Sequence, residues 1–483
     1  MSISQNLIRF IKESPTEYQA VDTCSRMLEN AGFEELREEE KWDLEKGGRY
    51  YVVRNDAALL AFSLPEKTSG IRIAASHADS PYFKIKENPE MEKAGVYTVL
   101  NVEKYGGMLM GPWFDRPLSV AGRLLVCDPD SPSGISTRLV DFDRDMLLIP
   151  SLAIHMDREA NNGKKLNPQT DMLPLYSLFK SRENKNEGKN TETAEKMSGS
   201  LDTIEEPGQT PNCNQAAGQS HVPEQSHMPD AECGHKGFLD AAAEIAGVSR
   251  EDILGYDLYV YNHQPGTIWG PEGEFVSAPR LDDLQCTFAC LTGFLAAAEA
   301  DAELDSEEDA VKVFALLDNE EVGSSTRQGA ASTFLADTLH RIYDGLGMSF
   351  EDYKRDLAKG FMISADNAHA VHPNYQDKAD PVNRPVIGGG VVLKFAGNQK
   401  YCTDGYSAAL FRKICKEAGC KVQTFTNRSD MAGGSTLGNI SNNQVAIPTA
   451  DIGLPQLAMH SPFETAGTKD TEDLVRIMRQ FFL

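Results

Sequence analysis

The reading starts from Val311-Lys312-Val313-Phe314-Ala315-Leu316-Leu317-Asp318-Asn319-Glu320-Glu321-Val322-Gly323-Ser324. Its first seven residues form an apolar run rich in β-formers, which predicts a buried strand over 311–317. The run breaks directly into acids. Strand ends of this kind are where ligands collect in α/β sheets. Two adjacent glutamates there point in different directions, so one can hold a metal while its neighbour acts as a base on water. Adjacent glutamates are also common on surfaces, but the buried-looking strand before them and Val-Gly-Ser after them favour chemistry.

Outward from this stretch the pattern is α/β. Upstream, 284–298 reads as a helix, and Arg280-Leu281-Asp282-Asp283-Leu284 stands at its start, where an Asp also suits a helix cap. Nearer the N-terminus, Tyr18, Val21, Cys24, Met27 and Leu28 recur at helical spacing before Gly32. Strand-like runs follow at 50–54, 57–63 and 71–75, the last delivering His77 and Asp79. Downstream, apolar runs at 362–364, 386–395 and 445–449 precede a closing helix at 472–482. They carry Asp366, in Ser364-Ala365-Asp366-Asn367-Ala368-His369, and Met459-His460-Ser461.

Two stretches differ in texture. Over about 90–175, short Val/Leu/Ile runs alternate with Gly, Pro and Asp, which suggests a separate β-rich domain. Over 181–235 large apolar side chains nearly vanish, so that segment reads as a long flexible insertion. His221, His227, His235, Cys213 and Cys233 lie in or beside it at loose spacings that do not specify a metal site. The expected division is 1–88 and 236–483 for an α/β catalytic domain, 89–180 for the β-rich domain and 181–235 for the insertion.

Composition narrows the class. The 483 residues are 41% hydrophobic and 25% charged, the balance of a soluble globular chain. Nine scattered cysteines without CxxC spacing read as reduced thiols, hence a cytoplasmic protein. No secretory leader or membrane-length apolar run is read, so no membrane association is expected. A net charge of −25 repels nucleic acid. HExxH, GxSxG, GxxxxGK(S/T) and GxGxxG motifs are absent.

What remains is a set of His and acidic residues placed after apolar runs. Together they meet the needs of two divalent ions: a bridging carboxylate, further nitrogen and oxygen ligands, and an uncoordinated base. Without thiolates the set suits Zn2+, with Co2+ or Mn2+ as substitutes.

The same clusters, with Tyr105-Gly106-Gly107, Trp113-Phe114-Asp115-Arg116, His155-Met156-Asp157-Arg158-Glu159, Leu166-Asn167-Pro168-Gln169 and His372-Pro373-Asn374-Tyr375, resemble the aspartyl aminopeptidase family of two-metal metallopeptidases. The resemblance covers nearly the whole chain outside 181–235. It implies a zinc-peptidase-like catalytic domain with a mixed central sheet flanked by helices, interrupted by a β-rich dimerisation domain. It further implies a dodecamer built from dimers, acting on peptides. Asp282 would bridge the metals, His77 and Asp366 would complete one, and Glu321 and His460 the other. Glu320 would be the general base, with Asp79 orienting His77. His155 would reach a neighbouring subunit's site, Lys394 would meet an acidic substrate side chain, and His369 would line the pocket. A cis bond after Asp282 is implied as well. Asp283 and Gln19 depart from the family pattern, standing where Asn and His are usual. A related amidohydrolase or deacylase, or a silent assembly protein of the same fold, are the alternative readings.

Overall fold

The computed structural model of the protein describes residues 1–178, 237–301 and 308–483. The stretch read as an insertion, 181–235, with its three histidines, lies outside the described residues. Among the described residues the largest sheet has nine strands, in the order Glu34–Leu36, Arg49–Arg54, Ala58–Ser63, Glu308–Leu317, Lys67–His77, Phe361–Ala365, Thr449–Gly453, Val391–Phe395 and Val422–Thr426. The sheet is mixed, and its centre is parallel: Glu308–Leu317, Lys67–His77, Phe361–Ala365 and Thr449–Gly453 all run the same way.

Both faces of this sheet are buried, which is why the central run over 311–317 is continuously apolar rather than alternating. Phe314 and Leu316 join the core beneath Ile3–Glu13, Glu17–Asn30, Leu281–Asp301, Gly405–Glu417 and Thr468–Phe482. Val311, Val313, Ala315 and Leu317 join the opposite core, against Phe334–Gly345 and Phe350–Ala358. The two-residue period of the strand sorts neighbouring side chains into separate cores.

A second sheet is antiparallel throughout, in the order Ile135–Asp141, Leu118–Cys127, Ile253–Asn262, Tyr82–Lys93, Tyr97–Tyr105 and Leu175–Leu178. The helix Phe238–Ala246 packs in its core. This β-rich unit therefore begins at Tyr82, and it keeps the helix and strand after 236 that the sequence reading gave to the catalytic domain. The return to the larger sheet comes after Asn262. Gln19, at the family's usual His position, ties the two units: its side-chain amide donates to Gly122 O (2.8 Å) and Val140 O (3.0 Å). A small five-stranded sheet, Thr267–Trp269, Phe275–Ala278, Glu464–Gly467, Pro455–Leu457 and Ala368–His369, caps the edge where the site lies.

Three local expectations shift. The run 146–149, within the β-rich stretch, makes only isolated bridges, through Leu147 to Leu118, Leu148 to Leu175 and Ile149 to Phe114. Ile135–Asp141 already occupies that strand's edge from Ala121 onward, so the run reaches no further. The apolar run 445–449 joins a strand only at its last residue, Thr449, because Pro448 has no N–H to pair. A helix at Ile3–Glu13, closed by a capping box between Ser2 and Gln5, went unread.

The closing helix lies tight against Leu281–Asp301 because Gly293 has no side chain. A Cβ there would sit 2.8 Å from the Arg479 backbone nitrogen and against the Met478 side chain. Gly293→Leu is expected to lower stability by about 3 kcal/mol or more, the upper range for overpacking. Urea unfolding checks this, and an unchanged midpoint would contradict the packing.

Candidate metal centre

Three adjacent parallel strands end at one edge of the nine-stranded sheet. His77 is the last residue of Lys67–His77 and pairs across to Leu317, the last of Glu308–Leu317. Glu320 and Glu321 follow in the next turn, with Asn319 before them in left-handed backbone at φ 59. Asp366 comes one residue after the strand Phe361–Ala365 on the other flank. Asp282 enters from the first turn of Leu281–Asp301, where the Asp282–Asp283 peptide is cis, as the resemblance implies. His460 enters from the loop between Pro455–Leu457 and Glu464–Gly467, at φ 65. Residues spread over nearly 400 positions of sequence thus meet at one edge.

Two groups of metal-type side chains result. His77, Asp282, Asp283 and Asp366 present ligand atoms all within 4.8 Å of one another, and so do Asp282, Glu321 and His460. Asp282 belongs to both groups, and its oxygens divide between them. Oδ1 lies 3.7 Å from His77 Nε2, and Oδ2 lies 3.4 Å from His460 Nε2. Glu321 Oε2 is also 3.4 Å from His460 Nε2. A buried carboxylate oxygen without a donor is costly. Asp282 Oδ1, Asp283 Oδ1 and Glu321 Oε1 are all in that position. Oxygens that no protein donor meets, beside two imidazoles and no thiolate, fit divalent ions of the zinc kind.

The electrostatics agree. Burial raises Glu320 to about 8, with Asp366, Asp79 and Asp282 adding repulsion against the opposing pull of His77. Burial likewise raises Glu321 and Asp283 well above the carboxylate range, and raises Asp366 despite the counter-charge of Lys394. Burial alone would lower both histidines. The facing carboxylates of Asp282 and Asp79 outweigh it at His77, and Asp282 lifts His460 to about 9. Asp282 itself is held low: the two imidazoles overcome its burial. Protons thus stand in the site where a cation would compete for the same atoms.

Around the two groups lies a layer of supporting contacts. His77 Nδ1 is 3.0 Å from the Asp79 backbone carbonyl and 3.3 Å from its Oδ1, which leaves Nε2 facing Asp282. The Asp79 carboxylate also accepts the backbone N–H groups of Glu320 and Glu321, both at 3.1 Å. Sequence reasoning missed three members of this layer. Glu464 accepts from Asp282 N (2.9 Å) and His460 N (2.7 Å). Tyr105 Oη donates to Asp79 Oδ2 at 2.7 Å. Asp283, noted only as a departure, accepts from His77 N at 3.3 Å. No period or motif marks such contacts.

The expected substrate residues fall in different places. Lys394 is buried, with Nζ 3.3 Å from Asp366 Oδ2 and 3.1 Å from Asn367 O. His369 lines a cavity of about 320 Å³ with Phe425, Arg428, Met431, Leu457 and Met459. His155 lies in an exposed loop of the β-rich unit and makes none of the contacts that knit the centre.

Stability without metal should depend on pH in a defined direction. Glu320 and Glu464 rise from 4.5 to about 8, and His460 from 6.5 to about 9. The folded form therefore holds protons that the unfolded chain releases, and stability falls as pH rises through this window. Metal-stripped protein should lose thermal stability between about pH 5 and 9, and a divalent ion should remove the loss. Thermal melts with chelator and with added metal check this. A stripped protein that gains stability over that range would contradict it.

The profile of the aminopeptidase I zinc metalloprotease family (M18) matches residues 10–482. A probable M18 family aminopeptidase 2 of Clostridium novyi is 38% identical over 485 residues, covering 100% of this chain and 99% of the relative. One of Stutzerimonas stutzeri is 36% identical over 99% of this chain and 98% of its own length. The solved S. cerevisiae mApe1 dodecamer is 27% identical with a TM-score of 0.78, covering 99% of this chain and 96% of that one. Family profile, relatives and architecture agree, and the chain belongs to the M18 aminopeptidase I family of zinc metalloproteases and is a metallo-aminopeptidase.

Proposed function

We propose that this aminopeptidase removes the N-terminal residue of short peptides with a pair of divalent ions, zinc by preference, and with Glu320 as general base. The division of Asp282 between His77 and His460 carries the reading, because one carboxylate with an imidazole on each oxygen suits a bridge between two ions. In it His77, Asp282 and Asp366 would hold one ion, and Asp282, Glu321 and His460 the other. When bound, such a pair supplies Lewis acidity that polarises the scissile carbonyl and draws the pKa of water toward ~7. Glu320 takes the proton of the attacking water and passes it to the leaving amine. Its neighbour Glu321 faces His460, whereas Glu320 has no hydrogen bond from His77 or His460, which leaves its carboxylate for this task. Asp79 keeps the His77 ring turned with Nε2 inward.

Lys394 is proposed to favour Asp or Glu as the N-terminal residue. It is a buried cation whose Nζ stands 3.3 Å from Asp366, next to the metal-type group, and a substrate carboxylate brought there would share its charge-assisted hydrogen bonding. The cavity lined by His369, Phe425, Met431 and Met459 supports acceptance of Leu and Met as well. Self-association into a dodecamer of dimers is the proposed assembly, with His155 reaching a neighbour's site. The S. cerevisiae neighbour is a dodecamer, and Leu152, Ile154 and Met156 expose apolar side chains around His155. The free cysteines among the described residues support a cytoplasmic setting.

Glu320→Gln should lower kcat by about 10³-fold or more, within the range for a general base and its charge, while metal content stays unchanged. Steady-state kinetics with elemental analysis check this, and wild-type turnover would overturn the mechanism. Lys394→Leu should cut kcat/KM for Asp and Glu substrates at least ~10-fold relative to Leu substrates. An unchanged ratio across an aminoacyl p-nitroanilide panel would remove Lys394 from the specificity reading.

A further inference from the structure

We infer that Tyr105, at the last position of the β-rich unit's strand Tyr97–Tyr105, is a positioning residue for the base Glu320. The inference rests on the proposed role of Glu320 and adds a residue that acts on it from the other unit.

The turn carrying Glu320 and Glu321 bonds to itself only beyond them: Val322 and Ser324 N–H donate to Asn319 O and Gly323 N–H to Glu320 O, so the N–H groups of Glu320 and Glu321 take an outside partner. Asn319 (φ 59), Gly323 (φ 96) and Ser324 (φ 58) are all left-handed, a region that glycine and asparagine tolerate and Ser324 disfavours. What pins the loop from outside is Asp79, whose two oxygens accept the N–H groups of Glu320 and Glu321 at 3.1 Å each. Tyr105 closes the arrangement. Its hydroxyl donates to Asp79 Oδ2 at 2.7 Å and accepts from Asn319 Nδ2 at 2.8 Å. One phenol therefore fixes both the carboxylate that holds the loop and the residue that starts it. Asn319 is held in turn by Thr326 and by Gln328, which reach its side-chain oxygen at 2.6 and 3.0 Å.

The residues after Tyr105 press on the same loops. A Cβ on Gly106, at φ 75, would stand 3.1 Å from Glu321 Cβ, so no larger residue fits without moving that ligand. Gly107 comes within 3.8 Å of His460 Nδ1 at its Cβ position, and Leu109 N–H donates to His460 O at 3.0 Å. One strand end of the β-rich unit thus touches the loops of Glu320, Glu321 and His460. The Tyr105 ring itself packs on Tyr82 and Tyr259, with centroids 5.7 Å away in each case. A phenylalanine would keep those ring contacts and lose only the hydroxyl. The hydroxyl is thus the part that serves the loop, and a misplacement of about 1 Å at a reacting group costs on the order of 10²-fold.

Tyr105→Phe in the full chain, with zinc at saturating concentration, should lower kcat about 10- to 100-fold with KM within about twofold. Its zinc content should match the parent, and it should stay fully folded at the assay temperature, with an unfolding midpoint lowered only modestly by the loss of one buried hydroxyl. Asn319→Gly, which keeps the left-handed backbone and removes the amide, should act similarly. The double variant should fall no more than about threefold below the worse single, since the two side chains act as one unit. Wild-type kcat in Tyr105→Phe overturns the inference, as does a kcat loss accounted for by lost zinc or by unfolded protein at the assay temperature. So do losses that multiply in the double variant. Glu320→Gln, assayed alongside, separates the two readings: if it stays active the base assignment fails, and if it alone is inactive only the Tyr105 role fails.

Discussion

Carboxylates crowded at the buried edge of one sheet repel one another, and the rest of the site follows from holding them there. Asp282, Asp283, Glu321 and Asp366 converge within a few ångströms of two histidines. Without a cation, burial and mutual repulsion raise Glu321, Asp283 and Asp366 above the usual carboxylate range, while the two imidazoles hold Asp282 low. The fold supplies the means. Parallel strands side by side release their next residues on the same edge, so His77, Glu320, Glu321 and Asp366 need only short loops to meet. The helix Leu281–Asp301 brings Asp282 across from the face. Hydrogen bonds from outside then fix each acid: Glu464 holds the backbones of Asp282 and His460, and Asp79 holds those of Glu320 and Glu321.

The parts legible in the sequence are those with a local signal. A continuous apolar run followed by Asp-Asn-Glu-Glu marks a buried central strand and its ligand edge, because a strand buried on both faces loses its alternation. Each metal-type residue likewise sits beside an apolar run that announces an element end. The supporting layer has no such signal. Glu464 and Asp282 lie 182 positions apart, and Tyr105 and Asn319 lie 214 apart, so only the folded chain joins them. The edge of the β-rich unit was hidden for the same reason. Residues 257–262 read as an ordinary strand of the α/β pattern, and the place of Ile253–Asn262 between Leu118–Cys127 and Tyr82–Lys93 depends on pairing with distant chain. Lys394 shows a further limit. Its pocket role is implied by the resemblance alone, and nothing local to its strand signals that the ammonium is buried and also meets Asp366 and the Asn367 carbonyl.

The two units are bound more closely than an insertion alone requires. Gln19 ties the second helix to the β-rich sheet, and Tyr82 Oη donates to the buried Glu17 at 2.9 Å. Burial raises Glu17 to about 7, against its backbone hydrogen bond and with the charge of Asp79 adding to the rise. The residues 105–109 then run along the metal-type loops themselves. The β-rich unit is thus a wall of the site as well as the proposed surface of assembly.

The central claim is that Asp282 is shared between two ions. An anomalous difference map from zinc-loaded crystals, collected at the zinc edge, tests it most directly. The account predicts two peaks about 3.5–4 Å apart, one against His77, Asp282 and Asp366 and the other against Asp282, Glu321 and His460. A single peak at full zinc occupancy, or a pair of which one does not touch Asp282, would contradict it.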